Sequence, residues 1–333
     1  MNIVMNHDIT KQFRQNVWHE RPYYSLDAYC KNTFGYKLHK VAIDAGFTCP
    51  TRDGTLDTKG CIFCSAGGSG DFAVSMQDFS GSLSHLMPPA SDGSNKELKP
   101  DKIAYFQAFT NTYAPVDRLE FLYREALNHP SVAGISIATR PDCLPPDVIG
   151  LLEKLHQEYF LSKDSKYKKF IWMELGLQTI HEKTASYIRR GYELPVFRNA
   201  VTQLNAIGIP VITHIILGLP GETKNDCIET INYLNQIGIF GIKLQLLHVL
   251  KHTDLYEDYS MGKFEVLSKE DYLDMLVECV GNLSPDIVIH RLTGDGPKDI
   301  LVAPNWSRNK RDVLNSFHHE MKVRNIFQGK LIR

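Results

Sequence analysis

Three cysteines lie near one another in a segment rich in turn-forming residues, in the pattern C-x11-C-x2-C formed by Cys49, Cys61 and Cys64. A cysteine that only fills a core lies within the apolar period of a helix or strand, as Cys227 does, and these three do not. Clustered thiolates are the ligands of metal sites, and packing alone does not explain them. The spacing therefore predicts a metal centre.

The number of cysteines bears on which metal is bound. A structural zinc site takes four ligands, and a zinc ribbon supplies a second C-x2-C pair that this sequence lacks. Iron–sulfur clusters also usually take four thiolates. Three cysteines leave one metal position open, which in a catalytic site is where a substrate or cofactor binds. The pattern favours an iron–sulfur cluster with one ligand-free iron, and zinc completed by a distant Cys or His stays an alternative.

The elements that must position this segment are short apolar runs that alternate with amphipathic helices. Runs bounded by Gly, Pro or charged residues are typical of buried strands. They cover residues 38–46, 102–109, 134–140, 170–178, 210–218 and 242–250, with a weaker seventh at 286–292. Between them, apolar residues recur at i, i+3, i+4 and i+7, as in Leu119, Leu122, Tyr123 and Ala126.

Alternating strands and helices predict a parallel sheet. Six or seven such units, with no G-x-G-x-x-G after the first strand, favour an α/β fold built as a partial parallel (β/α)6-type barrel over the dinucleotide-binding fold. In such a barrel the chemistry lies at the C-terminal ends of the strands. We expect an N-terminal extension over 1–37, the barrel over 38–292 and a C-terminal extension over 293–333, which is basic from residue 308. A Ser-, Pro- and Gly-rich surface loop is expected over 80–101.

The composition is that of an ordinary globular protein, with 333 residues, 43% of them hydrophobic, and a formal net charge of −1. No apolar run approaches the ~18 residues of a membrane span, and the N-terminus lacks the features of a secretory signal. Seven cysteines are an odd number for a disulfide framework, and free or metal-bound thiols fit a reducing compartment. We therefore expect a cytoplasmic protein that is not associated with a membrane.

Further motifs follow the predicted strands in order. They are FQAFTN (106–111) after the second strand, ELGLQT (174–179) at the end of the fourth, RRGY (189–192) soon after it, and GLPGET (218–223) after the fifth. Together with the cysteine loop they resemble the radical S-adenosylmethionine (SAM) superfamily, within it the Elp3-like group, and especially the YtqA/YhcC family. The resemblance covers roughly residues 25–305. The first cysteine gap is longer than the common C-x3-C-x2-C, a departure that Elp3-like proteins share.

The resemblance implies a [4Fe-4S] cluster held by Cys49, Cys61 and Cys64, and S-adenosyl-L-methionine as the second cofactor. In the superfamily the amine and carboxylate of SAM chelate the open iron, and an electron from the cluster releases a 5′-deoxyadenosyl radical. The protein would place the cofactor and the reacting hydrogen.

The same resemblance assigns the SAM-binding residues and leaves the catalytic residue unassigned. Thr110 would hold the amine, although both glycines of the family's turn at this place are missing. Glu174 or Gln178 would bind ribose hydroxyls or the amine, and Arg190 the carboxylate, which a guanidinium meets with two hydrogen bonds. The remaining assignments are His214 near the ribose and a close backbone approach to the adenine at Gly218 and Leu219. Structural alternatives are a salt bridge to a helix for Glu174, a solvated side chain for Arg190 and a core position for His214.

On the substrate side, the resemblance implies action on the wobble uridine of transfer RNA, at an aminomethyl-type side chain on carbon 5, with an electron donor such as flavodoxin or ferredoxin. The residues themselves offer less. Residues 308–333 hold seven basic against two acidic residues, which suits either phosphate contacts or a solvated helix. Polar residues on the sixth strand (Lys243, Gln245, His248) and in the segment 291–299 are expected to face a cavity. The alternatives are a small-molecule substrate, as in the coproporphyrinogen-oxidising relatives, and a zinc-stabilised nucleic-acid-binding protein.

Overall fold

The computed structural model describes residues 17–68, 70–75, 99–162 and 168–332. The predicted loop over 80–101, apart from its last three residues, and the first sixteen residues of the predicted N-terminal extension lie outside the described residues. Strands and helices alternate along the chain, as the apolar runs predict. The strands are β1 His39–Asp44, β2 Val74–Ser75, β3 Lys102–Phe106, β4 Val132–Thr139, β5 Phe170–Gln178, β6 Val211–Leu217, β7 Gly241–Leu246, β8 Val249–Leu250, β9 Val288–Arg291 and β10 Leu301–Ala303.

Eight strands form one parallel sheet in the order β2-β1-β3-β4-β5-β6-β7-β9. From β1 onward, successive strands of this sheet are neighbours in chain order, as in a singly wound barrel. The sheet curls, because Lys243 on β7 reaches Tyr105 on β3 across three intervening strands. Its edges are β2 and β9, so the barrel is open. The prediction of a partial parallel α/β barrel is confirmed.

Helices pack around the sheet, most of them on its outer face. In order among the described residues they are α1 Leu26–Phe34, α2 Val116–Asn128, α3 Pro146–His156, α4 Glu182–Tyr187, α5 Leu194–Ala206, α6 Lys224–Leu234, α7 Asp254–Ser260, α8 Lys269–Asn282 and α9 Lys310–Val323. The apolar stripe predicted for α2 is buried, with Leu119, Tyr123 and Ala126 all fully inaccessible. Ser268 caps α8 by accepting a hydrogen bond from the backbone N–H of Asp271, as its sequence indicates.

Alternation along β5 divides its side chains between two environments. Ile171, Met173 and Leu175 pack outward in the main core under the helices. Phe170 and Trp172 point into the barrel, where their rings stack at 4.1 Å. Tyr29 of α1 and Phe240 add to this aromatic plug, with ring centroids 4.9 Å apart. The plug fills the N-terminal end of the barrel, and the next inward residue of β5, Glu174, begins a polar layer above it.

The C-terminal part of the chain packs on the barrel. Helix α9 buries Val313, Phe317 and Met321 in the same core as the sheet. Strand β10 pairs with β8 in an antiparallel ribbon beside the C-terminal end of β7. The domain boundaries at 37 and 292 stay predictions. Among the described residues there is no helix whose length and hydrophobicity would let it traverse a lipid bilayer.

Candidate active site

A cavity of about 860 Å³ opens at the C-terminal ends of the strands. All three cysteines of the C-x11-C-x2-C segment line it. Five of the residues predicted to bind SAM line it as well, namely Thr110, Glu174, Gln178, Arg190 and His214. The structure therefore brings together residues that are spread over most of the chain. Gly218 and Leu219 are not among the lining residues.

The cysteine loop is folded back on itself by backbone contacts and by one arginine. The Gly60 N–H donates to the Thr51 carbonyl at 2.7 Å, which closes the eleven-residue gap between the first two cysteines. Arg52 donates to the carbonyls of Cys64 at 3.0 Å and Ser65 at 2.6 Å. A Cβ atom on Gly60 would lie 2.8 Å from the Arg52 Nε, and Gly60 has a φ of +71°, so only glycine suits this turn.

The spread of the three sulfur atoms bears on which metal they suit. Within the described part of the chain, the group of three metal-ligating side chains whose atoms lie within 4.8 Å of one another is His181, Asp226 and Glu229, with no cysteine in it. One tetrahedral zinc ion, with Zn–S of about 2.3 Å, would hold sulfur atoms about 3.8 Å apart. The three cysteine sulfurs are not all within 4.8 Å of one another, and a polynuclear cluster that presents one iron to each thiolate is compatible with that spread.

The thiols meet a mixed environment. Desolvation by the surrounding protein, together with a smaller effect of the neighbouring Cys64, raises the pKa of Cys61 to about 12. A metal that binds there must displace a proton. The Cys49 sulfur lies 3.0 Å from the Thr51 hydroxyl, and the Cys61 thiol donates to the Arg189 carbonyl at 3.7 Å.

The floor of the cavity is a polar layer centred on Glu174, whose side chain is fully buried. One carboxylate oxygen accepts from the Lys40 Nζ at 2.5 Å and from the Ser136 hydroxyl at 2.5 Å. The other accepts from the His214 Nε2 at 2.7 Å and forms an ion pair with Lys243. These partners come from β1, β4, β6 and β7, so a single carboxylate ties together most of the curled sheet. The helix partner considered from the sequence is not what the structure has.

Electrostatics within this layer follow from burial and charge. Burial by itself would raise the pKa of Glu174, but Lys243 and Lys40 hold it well below its ordinary value, so the group is a carboxylate. Burial lowers the pKa of Lys243 well below its usual range, against the opposing effect of Glu174. Burial and Lys243 lower the pKa of His214 to about 4, so its imidazole is neutral. Tyr105 lies under both lysines, which are 4.6 and 4.3 Å from its ring centroid.

Arg190, the predicted partner of the SAM carboxylate, is 2% exposed and well anchored. Its guanidinium donates to the Tyr192 and Thr179 carbonyls at 2.9 and 2.7 Å, and to the Glu182 carboxylate at 2.9 Å. A guanidinium has five N–H groups, and the Arg190 Nη2 reaches both Glu182 oxygens, at 2.9 and 3.1 Å, so these contacts leave one N–H, on Nη1. Arg190 therefore lines the cavity with its position fixed by the protein.

Gln178 carries two marks of a functional position. Its φ is +69°, which is uncommon for a residue other than glycine, and its buried Oε1 has no hydrogen-bond partner among the described residues. The atom is an acceptor at the cavity wall. Thr110 is 1% exposed and its N–H donates to the Thr48 carbonyl just before Cys49.

Gly218 and Leu219 support the site from behind. Gly218 has a φ of +84°, and a Cβ atom there would lie 2.9 Å from Leu267. Leu219 packs in a small apolar cluster with Ile62 and Ile188, beneath the cysteine loop. The structure thus explains both residues by the turn and by packing, and the adenine contact stays a prediction.

The opposite wall and rim hold the polar residues expected from the sixth and seventh strands. Lys243, Gln245, His248, Arg291, Asp295, Lys298 and Asp299 all line the cavity. Arg308 is the member of the basic C-terminal stretch that does so, and it donates to the Lys298 and Leu301 carbonyls. Other members are neutralised, since Lys310 contacts Asp295 at 2.6 Å and Arg324 pairs with Asp274 and Glu320.

The lining residues that sequence reasoning missed include Lys40, Tyr105, Arg140 and His290. A signal existed for the first two. In an alternating strand, Lys40 and Tyr105 share the inward register opposite to the buried Ile43 and Phe106, so a polar atom there must find a partner inside the barrel.

Comparisons with known proteins agree with this architecture. Residues 58–234 match the family model described as the Radical SAM superfamily, and residues 239–323 match that of the Radical_SAM C-terminal domain. YtqA of Bacillus subtilis is 41% identical over 94% of both chains, and YhcC of Escherichia coli is 33% identical over 83% of this chain and 85% of its own. The structure of Elp3 from Methanocaldococcus infernus superposes with a TM-score of 0.59 at 14% identity. The superposition covers 88% of this chain and 65% of the Elp3 chain.

The buried carboxylate makes a prediction about stability. Replacing Glu174 by Gln leaves Lys40 and Lys243 without their internal anion, and we expect a loss of about 3–5 kcal/mol in the free energy of unfolding. The matched control is Glu120→Gln, because Glu120 also contacts two cations, Arg124 and Lys154, but its side chain is 29% exposed. The control should lose less than about 1 kcal/mol. Urea unfolding followed by circular dichroism measures both.

The stabilisation that Glu174 provides through Lys40 and Lys243 should depend on pH. The pKa of Glu174 is lowered by folding, so its stabilising contribution is present above the unfolded value of about 4.5 and is lost as the pH falls through the folded value. The difference between wild type and Glu174→Gln should therefore persist down to about pH 4.5 and shrink only below it. Equal losses in the Glu174 and Glu120 variants at neutral pH would contradict the central role of Glu174.

Proposed function

The chain belongs to the radical SAM superfamily, within its Elp3-like group, and from this premise we propose that it binds a [4Fe-4S] cluster through Cys49, Cys61 and Cys64 and cleaves SAM reductively. The observation that carries the proposal is the position of three thiols on the wall of a cavity at the C-terminal ends of parallel strands. The cavity volume of about 860 Å³ lies within the range of cofactor sites.

The bound cluster supplies the electron that breaks the carbon–sulfur bond of SAM and yields a 5′-deoxyadenosyl radical. The chain's own residues bind and orient. Arg52 and Gly60 hold the cysteine loop in shape. The remaining Nη1–H of Arg190 is suited to the SAM carboxylate, and the unpartnered Oε1 of Gln178 is suited to an amine or a ribose hydroxyl.

The SAM contacts assigned to Thr110, Glu174 and His214 rest on the family resemblance more than on polar atoms that lack a partner in the structure. Thr110 lies close to the cysteine loop and remains the proposed amine contact. Both carboxylate oxygens of Glu174 already accept two hydrogen bonds or ion pairs, and His214 donates to one of them. Glu174 and His214 would then serve SAM by shaping the floor beneath it.

The proposed substrate is the wobble uridine of transfer RNA, at the side chain on carbon 5. Membership of the Elp3-like group supports it, as does the basic rim formed by Arg291, Lys298 and Arg308, which offers cations to phosphates. A flavodoxin or ferredoxin in the cytoplasm is the proposed electron donor. A small-molecule substrate is the competing hypothesis, and the second experiment below separates the two.

The ligand assignment is tested by removing one thiol. Replacing Cys61 by Ala should abolish cluster binding, because the two thiolates that remain are too few to hold a [4Fe-4S] cluster. The matched control is Cys143→Ala, a buried cysteine that also lies near Arg140 but is not proposed as a ligand. Iron and acid-labile sulfide are quantified after anaerobic reconstitution. Full iron content in the Cys61 variant would sink the ligand assignment.

The substrate assignment is tested by binding to bulk transfer RNA at several salt concentrations. The affinity should fall steeply as salt rises, because each phosphate contact releases counterions. Replacing the exposed rim residue Lys298 by Ala should lower the slope of log K against log salt by about 1. Lys263→Ala, a surface lysine outside the cavity that pairs with Asp258, should leave the slope unchanged. Absence of salt-sensitive binding by the wild type would favour a small-molecule substrate.

A further inference from the structure

The polar floor of the cavity holds two lysine side chains and one carboxylate. Lys40 and Lys243 both contact Glu174, and in the described part of the chain this is the carboxylate that each of them reaches. The other groups that face them bring no charge. His214 is neutral because its pKa is lowered to about 4, the pKa of Tyr105 is raised well above its ordinary value, and Ser136 is a hydroxyl.

Acidic residues elsewhere on the cavity wall have other partners or lie at the rim. Asp71 accepts the hydrogen bond of the Ser65 hydroxyl, which lies 3.0 and 2.9 Å from its two carboxylate oxygens. Asp295 is held by Lys310 at 2.6 Å and lies 3.6 Å from Arg291. Asp299 is exposed at the rim. Two lysine side chains therefore share a single carboxylate inside a cavity, where burial makes an unbalanced charge costly and lowers the pKa of Lys243.

Lys40 and Lys243 face the cavity as well as the carboxylate of Glu174, which they share. Both line it, and the Lys40 side chain is 21% exposed. His290 lines the same region and neither of its ring nitrogens has a hydrogen-bond partner among the described residues. Its ring packs on the aromatic plug, with centroids 5.4 Å from Trp172 and 5.7 Å from Phe240. The floor thus offers two lysine side chains and an imidazole with no hydrogen-bond partner among the described residues to a group that enters the cavity.

We infer that this floor is the binding site for a carboxylate group of the substrate, held between Lys40 and Lys243. The inference deepens the proposed function, on which it rests for the use of this cavity as the active site. A carboxylate supplies a second anion for the two lysines, and its two oxygens match two ammonium donors. Burial, which lowers the pKa of Lys243 in the empty floor, no longer favours loss of its proton once a second anion is present.

The test uses acetate as the probe and acetamide, which has the same shape without charge, as its comparison. Binding of each to the anaerobically reconstituted enzyme is measured by saturation-transfer NMR at constant ionic strength, without and with SAM. Acetate should bind and acetamide should not, and SAM should leave acetate bound. Equal binding of the two probes, or displacement of acetate by SAM, would overturn the inference, since the latter assigns the floor to the cofactor.

Two variants move acetate binding in opposite directions. Lys243→Met should weaken it about tenfold or more, because a hydrogen bond to a charged group is worth about that factor in affinity. Glu174→Gln frees both lysines and should tighten it by a similar factor, about tenfold. General damage to the fold does not produce opposite signs. Lys263→Met, a surface control, should behave as wild type. Unchanged acetate binding in Lys243→Met would contradict the inference.

The acetate measurement is independent of the reaction. An enzyme that releases 5′-deoxyadenosine from SAM but does not distinguish acetate from acetamide would reject the carboxylate site and keep the proposed function. A protein that binds acetate as described but leaves SAM intact would reject the proposed function and keep the site.

Discussion

The buried carboxylate of Glu174 is the constraint on which the rest of the site depends. A full negative charge in the interior of a barrel is tolerated only when its lone pairs are satisfied, and here four side chains from four strands satisfy them. These contacts join four strands of the curled sheet, and they lie between an aromatic plug below and an open cavity above. The cavity therefore has a rigid charged floor, and the cysteine loop closes over one side of it.

The fold could be predicted from the sequence because its signals are local. All seven apolar runs contain strands, and their ends differ by a few residues, as where the run 242–250 is interrupted between β7 and β8. The side chains that contact Glu174 could not be predicted in the same way. Lys40 and Lys243 are 134 and 69 residues away along the chain, and only the curl of the sheet brings them together. The sequence indicated that Glu174 needed a partner, but not that the partners were inside the barrel.

For the cysteine loop, the sequence indicated the chemistry but not the local structure. Its spacing pointed to the chemistry, since three thiols on a turn-rich segment have no packing explanation. The eleven-residue gap became intelligible only in three dimensions, where Thr51, Arg52 and Gly60 fold it into a compact turn. Likewise Gly218 and Leu219 matched a motif, whereas the structure gives them a turn and a packing contact beneath the loop. Motif matching located the region correctly and was less informative about which of its atoms face the cavity.

The central claim is that these thiols bind a redox cluster that cleaves SAM, and one measurement tests it most directly. The protein is purified without oxygen, its iron, sulfide and zinc are quantified, and SAM is added with a reductant. The account predicts a brown protein with about four irons and four sulfides that releases 5′-deoxyadenosine. A colourless protein that contains zinc and leaves SAM intact would contradict it.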